Sequence, residues 1–360
     1  VAAGRSAPQA LLCEAVGTRE HLAAWWVQAL EDCLSGFDSS TLASVRAISV
    51  SGQQHGFVPL AEDGKVLAPV KLWCDTATEA ECEEIAAAFG GQQRCLEEAG
   101  NAILPGYTAP KIRWLRNNRP EAYARLATVL LPHDYINYVL TGECVMEYGD
   151  ASGTGLLDIR QRRWHGGLLQ ALDAQRDLSA TLPPLVEPDQ AMGQVGASAA
   201  QRFNLPVGIP VATGGGDNMM AAIGTGNVSS GRLTVSLGTS GTLFASSDTP
   251  VTDSAGELAA FCSSTGGWLP LLCTMNCTVS TELTRDLFDM PVEDLSDIVS
   301  AVPRGSNGVV TVPFFNGERS PNLPRAKGCL FGLDDGNYSR ENLLRSAMES
   351  AVYGLRAGLD

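Results

Sequence analysis

The chain has 360 residues, 25 Lys and Arg against 40 Asp and Glu, and a formal net charge of −15. That balance argues against nucleic acid as its main partner, because phosphate backbones are bound by clustered cations. Hydrophobic residues make up 44% and charged residues 18%, yet no apolar run is long enough to span a bilayer, so a globular chain of two domains is the expectation.

In chain order, Thr18 to Leu34 has helical spacing, with Trp25, Trp26, Ala29 and Leu30 on one face and Thr18 as its cap. Val45 to Val50 reads as a strand that ends in Ser51-Gly52-Gln53-Gln54-His55-Gly56. Phe57 to Leu67 predicts a β-hairpin around Glu62-Asp63-Gly64-Lys65, and Val70 to Trp73 a short strand. Glu79 to Phe89 and Lys111 to Asn117 predict helices, the second stopped by Pro120. Tyr123 to Leu140 reads as strand and helix around Pro132. The Pro/Gly-rich passage Leu182 to Gly216 is expected to connect elements with little structure of its own, apart from a short buried strand at Ile209 to Ala212. Arg232 to Leu237 and Leu243 to Ala245 predict two strands joined by Gly238-Thr239-Ser240-Gly241-Thr242. The domain boundary is expected between Gly224 and Gly231, giving domains 1–226 and 227–360. Arg340 to Leu359 reads as an amphipathic helix. Ten cysteines show no framework of spacings. Only Cys273-x3-Cys277 approaches a metal motif, and nothing nearby completes a shell, so the cysteines read as reduced residues of a cytoplasmic protein.

Three turns carry chemistry. Gly214-Gly215-Gly216-Asp217-Asn218 follows a short strand. Its glycines permit close approach, and Asp217 is placed either as a general base toward a bound hydroxyl or as the cap of the next helix. Gln54 and His55 are good readers of hydroxyl groups, with Trp73 as an apolar wall and Asp75 as an acceptor. The hairpin turn Gly238-Thr239-Ser240 offers N–H and hydroxyl groups to phosphate oxygens. Each turn alone is compatible with a purely structural role.

Two longer segments, Gly106 to Asn118 and Gly328 to Glu349, resemble the signature patterns of the FGGY family of carbohydrate kinases. The resemblance extends over Ser51–Gly56, Leu72–Asp75, Leu131–Tyr135, Leu140–Glu143, Asp150–Thr154, Gly214–Asn218, Ser236–Gly241 and Asn316–Pro321. It implies an α/β fold of two ribonuclease-H-like domains of the actin/hexokinase type with mixed sheets, the first strand missing, the second domain incomplete and the active site in the cleft between them. It also implies ATP-dependent phosphorylation of a ketopentose, D-xylulose foremost, with ribulose, glycerol or a non-catalytic sugar-binding role as alternatives. Asp217 would be the base and a Mg²⁺ ligand, and Gln54, His55, Trp73, Asp75, Asp217 and Asn218 would hold the sugar. Gly238, Thr239 and Ser240 would meet ATP, and a homodimer is compatible with the family. The family's opening Asp-Leu-Gly-Thr turn and its late glycine-rich adenosine motif are expected to lie outside these 360 residues. Gln54 stands where the xylulose-phosphorylating members carry Met, and Ala77 where they carry Arg.

Overall fold

A computed structural model describes residues 3–315, 317–323 and 325–359. The chain forms two compact units. The first comprises residues 1–228, 247–254 and 260–269, and the second residues 229–246, 255–259 and 270–360. The chain therefore crosses from one unit to the other more than once, whereas the sequence suggests a single boundary.

In the first unit, the helix Glu79–Phe89 carries Glu79 and Glu81 in its first turn, where the dipole favours anions. It ends at Gly90, whose left-handed backbone returns its N–H to Ala86 O. With Thr108–Asn118 and Gly166–Leu172 it closes a core that includes Ile85, Phe89, Ile112, Leu115 and Leu168. A second core gathers Val27, Leu140, Phe203 and Val211.

Several expectations shift in detail. The first helix spans Ala23–Ser35 with Leu22 at its cap position. Thr18 precedes a short strand instead, Glu20–His21, which pairs antiparallel with Val70–Lys71. Val45–Val50 makes only one bridge, Ile48 to Val211, before the strand Ser51–Gly52 begins. The 57–67 segment does turn back on itself, but through a single Leu60–Val66 bridge. Its strand Val58–Leu60 pairs with Thr128–Leu130. Pro132 opens the helix Pro132–Thr141, where its missing N–H costs nothing. The passage 182–216 is not a bare connector. It holds the helix Ala197–Phe203 between the antiparallel strands Ala191–Gln194 and Pro210–Ala212. Strands this short carry too little alternation to be read from sequence.

The second unit is built on a four-stranded antiparallel sheet in the order Leu233–Leu237, Gly241–Ala245, Leu271–Thr274, Leu258–Ala259. Leu243, Leu272 and Cys277 pack with Ala351 and Leu355 of the long helix Arg340–Arg356. Ser339 caps that helix by accepting from Asn342 N. Among the described residues no helix is long and apolar enough to cross a membrane.

Candidate active site

The two turns of the first unit that the sequence singles out are laid side by side by parallel pairing. Gly215 pairs with Ser51 and Gly216 with Gly52. Gly214 makes this possible. Its φ is +68°, and a Cβ there would lie 2.1 Å from Val50 O, so no side chain can be accommodated. At Gly216 a Cβ would lie 2.6 Å from Gln54 Cγ, and at Gly215 2.7 Å from Ser264 Oγ. The triple glycine thus serves contacts within the protein, beyond the approach of a ligand that the sequence suggests.

Asp217 is the first residue of the helix Asp217–Gly224, and Gly216 occupies the cap position. The capping alternative is therefore not what the side chain does. Asp217 Oδ1 accepts instead from Asn218 N at 2.9 Å and lies 3.4 Å from Asn218 Nδ2. The residue stays exposed. Loss of solvent around the carboxylate raises its pKa, Asn218 N–H opposes that, and the charge of Asp150 adds to the rise. Asn218 Nδ2 donates to Gln54 Oε1 at 2.8 Å, and Gln54 Nε2 lies 3.2 Å from Met219 Sδ. Gln54 is buried, so its carboxamide is bonded within the protein, holding Asn218 in place.

His55 has a left-handed backbone, φ 64°. Its ring packs on Tyr107 and Phe261, with centroids 5.0 and 5.7 Å away. Gly153 leaves room for that ring, since a Cβ there would meet Nδ1 at 1.9 Å. The His55 carbonyl accepts from Lys111 Nζ at 2.7 Å and from Thr108 Oγ1 at 3.2 Å.

Trp73 is 51% exposed and available as a wall. Asp75 is not similarly available. It is fully buried, with Oδ2 accepting from Arg19 N and Lys71 Nζ at 2.8 and 3.2 Å and Oδ1 from Ala77 N at 3.1 Å. Lys71 also pairs with Glu20 at 3.0 Å. The carboxylate anchors the turn after Trp73 rather than presenting a vacant acceptor.

Behind the glycine turn lies a buried charge cluster to which sequence reasoning assigned no role. His133 Nδ1 is 2.6 Å from Asp150 Oδ2, and Nε2 is 3.0 Å from Asp134 Oδ1. Glu147 accepts from Gly149 N and Asp150 N at 2.7 and 2.6 Å. Asp150 Oδ1 is buried without a hydrogen-bond partner in the structure. Burial alone would lower the His133 pKa, but the carboxylates of Asp134 and Asp150 outweigh it and lift it to about 9. Burial pushes Glu147 up to about 7 and Asp134 upward as well. Gly52 and Gly215 seat the site turns on this cluster. A Cβ on Gly52 would meet His133 Cβ at 2.8 Å, and one on Gly215 would meet Glu147 Oε1 at 3.2 Å.

In the second unit, the turn Gly238–Ser240 joins two antiparallel strands, with Gly238 N donating to Ser240 O at 3.1 Å. The carbonyls of Gly238 and Thr239 accept from Thr278 N and Cys277 N, both at 2.9 Å, at the start of the helix Thr278–Leu287. Gly238 and Thr239 are exposed and Ser240 is half-buried. Of the motif Asn316–Pro321, Asn316 lies outside the described residues. Its Glu318 accepts from Met275 N, Asn276 Nδ2 and Arg319 N.

Residues 1–224 match the N-terminal domain and residues 233–360 the C-terminal domain of the FGGY family of carbohydrate kinases. A xylulose kinase of Haemophilus influenzae is 42% identical over 97% of this chain and 72% of its own length. One of Streptomyces rubiginosus is 36% identical over 93% of this chain and 66% of its own. The crystal structure of the xylulose kinase of Bifidobacterium adolescentis matches with a TM-score of 0.84 and 30% identity, over 94% of this chain and 74% of that one. The fold is that of a two-domain, actin/hexokinase-like carbohydrate kinase. The chain belongs to the FGGY family of carbohydrate kinases, whose members transfer a phosphoryl group to a sugar.

Proposed function

We propose that this protein transfers the γ-phosphoryl group of ATP to D-xylulose, giving D-xylulose 5-phosphate. The observation that carries the reading is the parallel pairing of Gly215–Gly216 with Ser51–Gly52, which sets an exposed carboxylate beside a hydroxyl-reading turn. The names of the relatives point to the same sugar.

Asp217 is the general base. It takes the proton of the attacking hydroxyl, and its raised pKa improves it as a base. Asn218 and His55 hold hydroxyl groups, Gln54 orients Asn218, and Trp73 covers an apolar face of the sugar. Asp75 supports the turn that carries Trp73. Gly238, Thr239 and Ser240 meet phosphate oxygens, Thr239 and Ser240 through N–H and hydroxyl groups and Gly238 by leaving the approach open, its own N–H being bonded to Ser240 O. Phosphoryl transfer asks the protein for positioning and charge neutralisation more than for covalent chemistry.

Among the described residues no group of three or more His, Cys, Asp or Glu side chains could hold a metal ion. Mg²⁺ binds through one or two carboxylates plus substrate phosphates rather than in a protein cage, so a single carboxylate would be enough from this chain. Asp217 is the carboxylate we assign to it, and bound Mg²⁺ supplies charge neutralisation on the phosphates. A cytoplasmic homodimer completes the reading. All ten cysteines are free, which suits a reducing compartment.

A coupled assay of ketopentoses and polyols tests the substrate. D-xylulose should have the highest kcat/KM, and a higher value for ribulose or glycerol would replace it. Asp217→Asn should lower kcat by about 10²–10⁴-fold. A loss of less than about tenfold, roughly 1.4 kcal/mol of barrier, would remove it as the base.

A further inference from the structure

Lys111 is a fully buried lysine whose ammonium is held by backbone oxygens. Its Nζ donates to two backbone carbonyls, His55 O at 2.7 Å and Gly106 O at 2.6 Å. Both carbonyls belong to segments that border the sugar side. His55 sits in a left-handed turn, a conformation that costs a non-glycine residue free energy and persists only where surroundings hold it. Gly106 packs so closely on the Trp73 peptide that a Cβ would lie 2.9 Å from Trp73 O. One amine therefore ties the turn carrying the imidazole to the segment packed on the Trp73 backbone. Thr108 adds a second donor to the His55 carbonyl, from the first turn of the same helix, Thr108–Asn118.

We infer that Lys111 is a positioning residue for sugar recognition, tying the His55 carbonyl to the Gly106 peptide so that the imidazole that meets the substrate is held in place. This rests on the sugar-kinase reading above. Burial lowers the ammonium to about 7. A neutral amine still carries two N–H groups, enough for two carbonyls, so both ties survive loss of the proton. What the geometry requires is a long, narrow side chain that ends in at least two donors. Methionine supplies the length without the donors. Arginine brings a planar fork of five donors into a space that holds one nitrogen.

The test is a double-mutant cycle on the full protein, with D-xylulose and ATP varied separately. Lys111→Met should raise the sugar KM about tenfold or more while kcat stays within about threefold and the ATP KM is unchanged. In a His55→Ala background the same substitution should add less than about twofold, because the group it positions is gone. A merely structural lysine would give the same factor in both backgrounds, or would lower kcat and both KM-defined specificities together, and either result overturns the inference. Should Lys111→Met fail to fold, Thr108→Val removes the other donor to the same carbonyl. It should raise the sugar KM about threefold, again only when His55 is present, and an unchanged KM would overturn the inference. A parent protein that neither binds nor phosphorylates any ketose would defeat the sugar reading and this inference with it. A normal parent whose folded Lys111→Met variant keeps the parental KM defeats the inference alone.

Discussion

The turns Gly214–Asn218 and Gly238–Ser240 look alike in sequence, each a glycine-rich bend after a short apolar strand, but they are built differently. The first is crowded. Each of its glycines faces protein atoms that a Cβ would strike, and buried charge lies behind it. The second is open. The atom nearest a Cβ on Gly238 is Ser240 O at 3.3 Å, and the turn is anchored through its carbonyls to the start of one helix. On the proposed assignment, the turn that fixes a proton-accepting oxygen is the one held from several sides, and the turn that would meet phosphates is held from one.

The sharpest way to break this contrast is the same substitution at both. Gly214→Ala forces a left-handed alanine into a space already filled by Val50 O, so it should cost at least about 3 kcal/mol or abolish folding. Gly238→Ala should cost no more than about 1 kcal/mol. Urea unfolding measures both. Similar losses at the two positions would show that the second turn is as constrained as the first.

Only the first turn should bring a pH dependence of stability with it. His133, Asp134 and Glu147 all have pKa values raised by the fold. At these three groups the folded state holds more protons than the unfolded chain, so their contribution falls as pH rises, whereas Lys111, lowered by burial from 10.5 to about 7, gives a contribution that rises above pH 7. For Glu147 the contribution is present below its unfolded value near 4.5 and is lost by about 7. For His133 it is present below 6.5 and is lost through about 9. The melting temperature should drop between pH 5 and 7, on the order of 2 kcal/mol in stability, and level off between 7 and 9, where His133 and Lys111 oppose each other. His133→Gln should turn the level stretch between pH 7 and 9 into a rise, because the opposing Lys111 contribution is then left alone, and an unchanged slope would separate the turn from the cluster.

How much of this was legible in the sequence follows from what each residue contacts. The glycine-Asp turn was legible because glycine runs and a lone carboxylate are unusual side by side. The helix Glu79–Phe89 was legible in full because its apolar period, acidic first turn and terminal glycine agree. Lys111, His133 and Asp150 lie within the family-like motifs and Glu147 between two of them, yet none shows a role in the sequence, because a charged residue there reads as surface. Their burial depends on carbonyls and carboxylates brought in from elsewhere in the chain, 56 positions away in the case of Lys111 and His55. Asp75 was misjudged for the same reason. Its partners Arg19 and Lys71 come together only because Glu20–His21 pairs with Val70–Lys71.

Gln54→Met replaces the carboxamide by an apolar side chain of similar length. It removes the acceptor of Asn218 Nδ2 and the contact of Nε2 with Met219 Sδ. Asn218 is half-buried, so water can replace the lost acceptor, and the expected cost is about 1 kcal/mol of stability. A sugar KM that rises together with that loss would show that Gln54 acts by holding Asn218. A KM that moves without any loss of stability would mean instead that the carboxamide meets the sugar directly.

The smallest effect belongs to the open turn. Thr239 is exposed and its backbone carbonyl, not its side chain, is tied to Cys277 N. Thr239→Ala should therefore leave unfolding unchanged and act only on the nucleotide. Loss of one neutral hydroxyl donor is worth about 0.5–1 kcal/mol, so the ATP KM should rise roughly threefold with the sugar KM unmoved. A change in the sugar KM of the same size would mean that the two turns do not divide the substrates between them. A stability loss above about 1 kcal/mol would mean that the Thr239 side chain, too, is part of the frame, and the contrast between a crowded and an open turn would fail at the residue where it is most exposed to test.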